Sequence, residues 1–218
     1  LRKFMSENPQ PERFGEFGWI MFDVNGLRSF KDCTSHEHTT HFLQQIVRIL
    51  VNENGPTRRH LTAQGIRMIP MATGGDEFVL YVRGTAPLAP ELMDSIVASF
   101  QDEIATSEAL RGSLNFDDEK VLVTFGMPSS QQRKEFAKLE PDQKTATLAT
   151  IRAYLPEAFL PSVAGGAALL SEGIVRAIEK DDHDLRGDDE TFSSLREKIV
   201  QSTIDLAEHR QKKNKEHD

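Results

Sequence analysis

Phe17–Asp23 (FGWIMFD) is a short aromatic and β-branched run closed by a polar turn, the pattern of a buried strand. In His41–Val51 the apolar residues Phe42, Leu43, Ile46, Val47, Ile49 and Leu50 form a helical stripe. Ile66–Met71 and Phe78–Arg83 flank a Gly-Gly turn at hairpin spacing. Pro87–Ile104 repeats Leu88, Leu92, Ile96, Val97 and Phe100 at helical intervals, and Val121–Phe125 reads as a strand ending at Gly126. With a helix ahead of the first strand, the order is helix, strand, helix, hairpin, helix, strand. That alternation predicts an α+β chain, an α/β sandwich in which helices flank a central, mostly antiparallel sheet.

Beyond Pro128 the periodicity weakens. Gln131–Leu155 reads as largely helical and polar, and Phe159–Ala168 (FLPSVAGGAA) as a further strand running into a small-residue turn. Asp181–Asp189 is an acidic loop signal. Phe192–Lys215 is a final amphipathic helix with Leu195, Ile199, Ile204 and Leu206 inward and a basic end, Arg210-Gln211-Lys212-Lys213.

The bulk properties narrow the function. At 218 residues the chain can bury one core well, so 1–218 is expected to form a single domain. A net charge of −8 argues against binding a nucleic-acid polymer, which rests on phosphate neutralisation by Lys and Arg. The lone Cys33 forbids an internal disulfide and favours a reducing compartment. No apolar run approaches a membrane span, so no membrane contact is expected from this segment. The opening Leu1-Arg2-Lys3-Phe4-Met5, helical in character and without an initiator Met, reads as an excised piece, the cytoplasmic domain of a larger protein.

Two segments carry chemistry. Gly74-Gly75-Asp76-Glu77-Phe78 sets two carboxylates on a glycine turn between apolar runs. Phe22-Asp23-Val24-Asn25-Gly26-Leu27 sets an aspartate at the end of an apolar strand, just before a tight turn. Strand-end carboxylates that converge can hold a divalent metal against a nucleoside triphosphate.

Together these segments resemble the GGDEF family, the bacterial diguanylate cyclases. Phe22–Asp32 (FDVNGLRSFKD) is similar to the family's D-x-[DN]-x-[FL]-K-x-[IV]-N-D run. His36 then falls where the family has the His of its Gly-His pair, Leu43 matches an apolar position after it, and Leu1-Arg2-Lys3-Phe4 looks like the tail of the opening segment. The likeness covers residues 1–126.

It implies a palm-like fold and the joining of two GTP molecules into cyclic di-GMP by a homodimer. It also implies Mg²⁺ (or Mn²⁺) held by Asp23 and Asp76, with the Val24 carbonyl nearby. Glu77 would bind metal or deprotonate the attacking 3′-hydroxyl. The backbone N–H groups of Asn25, Gly26 and Leu27 would open a helix aimed at the phosphates, and Gly74 and Gly75 would let the backbone approach the nucleotide. Phosphoryl transfer needs this kind of positioning and charge neutralisation more than covalent chemistry.

The departures matter equally. Lys31 and Thr40 stand where the family reads the guanine edge with an Asn and an Asp; lysine offers donors only, and a hydroxyl matches paired guanine N–H donors poorly. The R-x-x-D product-inhibition motif is missing, with Gly65 and Met68 at its spacings. The family closes with a strand and a helix bearing basic residues for the triphosphate. Either Val121–Met127 is that strand and a subdomain follows, or Leu160–Ala167 is, and 113–158 is an insertion. The second is preferred, because Arg210, Lys212 and Lys213 then fall near the basic positions.

Other features have two readings. His36, His38 and His41 with Cys33 suit a metal site or an exposed helix start. Gly165-Gly166 suits a phosphate cradle or tight packing, and the tail Arg210–Lys215 a phosphate contact or a solvated helix end. The chain is therefore expected to be a nucleotidyltransferase using GTP or another nucleoside triphosphate. The alternative is a degenerate module that binds a nucleotide or protein partner and regulates an attached domain.

Overall fold

Of the eight residues of β1 (Phe17–Val24), Asp23 alone is not buried, as the apolar run requires of a strand inside a sheet. In the computed structural model, which describes residues 15–74, 77–181 and 192–215, three helices follow it: α1 (Leu27–Cys33), α2 (His36–Val51) and α3 (Pro56–Ala63). The hairpin of β2 (Arg67–Gly74) and β3 (Glu77–Arg83) comes next. It leads to α4 (Pro90–Ala105), α5 (Glu108–Arg111), α6 (Glu119–Gly126), α7 (Ser130–Ala137) and α8 (Pro141–Ala158). Strand β4 (Val163–Leu169) returns to the sheet, and α9 (Leu170–Asp181) and α10 (Phe192–Lys215) end the described chain.

The strands lie in the order β2-β3-β1-β4 in an antiparallel sheet, so the fold is α+β as expected. Phe17 pairs with Arg83 and Asp23 with Glu77 across β1 and β3. β3 is an apolar run buried on both faces, Val79–Val82 in succession, and its register with β2 follows from the short connection between Gly74 and Glu77. Phe159–Ala168 was read as a strand, and its second half is one. The opening residues Leu1–Phe4 and most of the acidic segment after Asp181 lie outside the described residues.

Contacts divide the chain into two units. The first holds the residues up to Asp23, Leu50–Gln101 and those from Val163 onward. On one face of its sheet Trp19, Met21, Val79 and Tyr81 pack with Ala168, Leu170, Val200 and Ala207, joined by Ile199, Ile204 and Leu206 of α10. The inward reading of those three α10 residues holds, while the side chain of Leu195 lies outside the described residues. On the other face Phe22 meets Phe100 edge-on, with ring centroids 6.0 Å apart.

Gly165 and Gly166 lie inside β4 and serve packing. A Cβ on Gly165 would collide with Val97 and Phe22, and one on Gly166 with the α10 backbone at Ala207 and Gln211. β4 is an edge strand, and α10 satisfies its carbonyls. Asn214 Nδ2 donates to Gly165 O and Arg210 Nη1 to Ala167 O, each at 2.8 Å.

Arg210 also grips Glu172, Nη2 to Oε1 at 2.7 Å, while the Leu169 N–H donates to Oε2 at 2.8 Å. Burial alone would raise the Glu172 pKa, but the Arg210 and Leu169 hydrogen bonds and the Arg210 charge outweigh it and hold the carboxyl below its usual value. A depressed carboxyl stabilises the fold above its unfolded pKa of 4.5 and loses that contribution as pH falls through the lower folded value. Glu172→Gln is therefore expected to cost about 1 kcal/mol at pH 7, the half-exposed setting discounting the pair. The loss should vanish when urea titrations are repeated well below pH 4.5.

The second unit comprises Val24–Ile49 and Asp102–Ser162. Leu122, Met127, Phe136, Ile151 and Leu155 form its core, with Phe116, Phe125 and Leu148 at the margin. Phe30 stacks on Phe42 at 4.4 Å. The strand expected at Val121–Phe125 is instead helix α6. Asp118 caps its start, Oδ1 accepting the Lys120 N–H at 2.8 Å. A helix then turns Val121 and Leu122 inward, and tertiary burial overrides β propensity. That removes Val121–Met127 as a strand and leaves Val163–Leu169 as the fourth of the sheet.

Candidate functional site

The β1–β3 register sets Asp23 directly opposite Glu77. Opposed residues on antiparallel strands share a face. Counting alternately from Trp19 and Tyr81, that is the face on which α10 packs. Two carboxylates so placed repel, at a cost of about 0.5 kcal/mol, and the end of α10 answers them with cations. Lys215 Nζ donates to Asp23 Oδ1 at 2.8 Å, the side chains being 42% and 21% exposed. Lys212 pairs with Glu208; that hydrogen bond, the Glu208 charge and the weaker fields of Glu77 and Asp23 hold its ammonium above the usual lysine range.

The other expected site residues are distributed unevenly. Asp76 and Gly75 lie outside the described residues. Gly74 ends β2 across from Glu77, after a register shift between Ala72 and Gly74. Val24 is the buried last residue of β1. Arg210 is engaged by Glu172 and Ala167 O, so the lysine seated on the acidic pair is Lys215. Which face each basic tail residue presents depends on how α10 seats on β4, and the tail's composition does not carry that.

Asn25, Gly26, Leu27, Lys31 and Thr40 belong to the second unit. The Asn25 N–H donates to Ser162 O at 3.0 Å and its Nδ2 to Ser162 Oγ at 3.1 Å, so that amide serves the fold. Gly26 caps α1 with φ 67°, a left-handed turn that glycine adopts without strain. Leu27 is buried in the first turn, and Lys31 is exposed in the last. Thr40 is exposed on α2, its hydroxyl donating to His36 O at 2.9 Å.

The histidines resolve toward the plainer reading. His38 Nδ1 faces Ser35 Oγ and His41 Nε2 faces Gln45 Nε2, both at 3.1 Å. Among the described residues no group of three or more His, Cys, Asp or Glu is placed to share a metal. Burial raises the Cys33 thiol, partly offset by its backbone hydrogen bond, which makes it a poor nucleophile.

Asp23 and Glu77, opposed in register, offer carboxylate oxygens, the donor type a hard divalent cation takes. The ammonium on Asp23 marks where positive charge is held. Lys215→Gln should therefore tighten Mn²⁺ binding about fivefold, the worth of one exposed ion pair. Calorimetry with MnCl₂ measures it, and unchanged affinity would remove Asp23 from the metal's coordination. No family model matches the chain, and neither a curated protein nor a solved structure matches it.

Proposed function

We propose that this chain is a metal-dependent nucleotidyltransferase of the diguanylate cyclase type, with a palm-like GGDEF fold, that condenses two GTP into cyclic di-GMP. The observation that carries the reading is the apposition of Asp23 and Glu77 at the end of a β hairpin whose turn is spelled Gly74-Gly75-Asp76-Glu77-Phe78. The strand order β2-β3-β1-β4, with helices between β1 and β2 and between β3 and β4, supports it as a split β-α-β arrangement.

In this reading Asp23, Asp76 and the Val24 carbonyl hold Mg²⁺ or Mn²⁺, which when bound polarises the α-phosphate and neutralises the leaving pyrophosphate. Glu77 accepts the proton of the 3′-hydroxyl of one GTP. That oxygen bonds to the α-phosphorus of the second, held by the facing subunit of a homodimer, and the bond to the β-phosphate oxygen breaks. Lys215 leaves Asp23 and turns to the incoming phosphates, as a flexible point charge can. The chemistry belongs to a cytoplasmic domain acting on a small anion.

A second reading, a degenerate module that binds nucleotide or a protein partner and regulates an attached domain, draws on Lys31 and Thr40 at the base-reading positions and on Lys215 seated on Asp23. Incubation with each ribonucleoside triphosphate, alone and in pairs, with Mg²⁺ or Mn²⁺ separates the two. A cyclic dinucleotide detected by mass spectrometry supports the enzyme and names its bases. Its absence from folded, dimerised protein supports the module.

A further inference from the structure

Away from the acidic pair, the first unit has a groove of about 880 Å³ between α3 and the β2–β3 hairpin. Arg58 and Arg59 reach it from the helix, and Arg67 and Arg83 from the strands. Glu53 is the only carboxylate among its lining residues, and Met68, Ile69 and Tyr81 supply an apolar wall. A chain with 34 acidic and 26 basic residues has thus gathered four guanidiniums around one carboxylate.

Two details distinguish this from a solvated basic surface. Arg67 and Arg83 are register partners on neighbouring antiparallel strands, so two like charges share one face where opposite charges would stabilise the sheet. Arg83 is further fixed with its guanidinium 5.6 Å over the Phe17 ring. Arg58 is only 7% exposed. Its Nη2 donates to Met68 O at 3.1 Å, while its buried Nε has no hydrogen-bond partner among the described residues. Burial lowers the Arg58 pKa, and the field of Glu53 offsets that in part without a direct ion pair; an anion that bonded the guanidinium would lower the cost of burying it.

We propose that this groove binds a small organic molecule carrying two oxyanion groups, phosphate or carboxylate, one gripped from α3 by Arg58 and Arg59 and the other across the hairpin by Arg67 and Arg83. Planar guanidiniums match both oxyanions in bidentate geometry, and the volume is that of a small-molecule site. The apolar wall accommodates the body that links the two groups. The site stands apart from the metal chemistry and does not depend on it.

Calorimetry of the whole chain with tripolyphosphate and with citrate, in EDTA and at matched ionic strength, tests the proposal. EDTA removes metal-dependent anion binding, and sulfate serves as the reference ion. At least one probe should bind about tenfold more tightly than sulfate, and the tighter one names the oxyanion. Arg67→Gln and Arg59→Gln, both at exposed positions, should each weaken it about tenfold, the worth of a charge-assisted contact. Asp23→Asn should leave it unchanged. The proposal fails if neither probe exceeds sulfate, or if both glutamine variants bind as the unaltered chain does. Tightening by Asp23→Asn, which removes a negative charge and frees Lys215, with no effect of either glutamine variant, would place the anion at the acidic pair and also overturn it.

Discussion

Asp23→Asn is expected to reduce cyclic dinucleotide formation by at least about a thousandfold, the several kcal/mol that metal-assisted charge neutralisation supplies to phosphoryl transfer. The fold should scarcely notice. The substitution removes the Lys215 ion pair, which links half-exposed groups and is worth under about 1 kcal/mol. It also removes the repulsion between Asp23 and the Glu77 carboxylate opposite it, a gain of similar size. The two nearly cancel, so urea midpoints of the two proteins should agree while product yields diverge. An Asp23→Asn variant that stays active would take the metal away from this aspartate. One that is inactive because it has unfolded would show that the ion pair anchors α10, a structural role in place of a catalytic one. The product assay and the unfolding curve must therefore be read on the same preparation.

The hairpin was legible because two apolar runs, Ile66–Met71 and Phe78–Arg83, flank a Gly-Gly pair at hairpin spacing. The pairing of β1 with β3 then places Asp23 opposite Glu77, which neither segment shows by itself. Val121–Phe125 was misread because VLVTF is apolar at either period, and a helix of eight residues is too short to declare a stripe. Only the cap at Asp118 carried the distinction. Helix α3 escaped notice because PTRRHLTA offers little beyond Leu61 as an apolar anchor. Pro56 at its first turn was the available signal.

Long-range contacts account for what remained hidden at the site. Glu172 is separated from Arg210 by 38 positions, and Lys215 from Asp23 by 192. Composition marked the tail as basic without assigning one cation to the fold and another to the acidic pair. The arginine groove was equally hidden. Its four guanidiniums come from α3 and two strands, and only the register reveals that Arg67 and Arg83 are neighbours.

Gly166→Val should be the most damaging single change to the fold. At this position the obstacle is the α10 backbone around Ala207 and Gln211, which cannot rotate aside as a side chain could. Accommodating even a Cβ means lifting the helix from β4, at an overpacking cost of about 3 kcal/mol. For a chain of this size that lowers the melting temperature by about 8 °C. A lifted α10 also loses the reach that lets Asn214 bond Gly165, Arg210 bond Ala167 and Lys215 bond Asp23. The same variant should therefore bind Mn²⁺ more tightly, in the direction expected of Lys215→Gln, although residue 166 never touches the metal. Loss of stability with unchanged Mn²⁺ affinity would mean that the last turn of α10 keeps its place independently of the seating on β4. Unchanged stability would contradict the close approach of helix and strand itself. Combining Gly166→Val with Lys215→Gln separates these cases: if both act through the one lysine, the double variant binds Mn²⁺ no more tightly than Lys215→Gln alone.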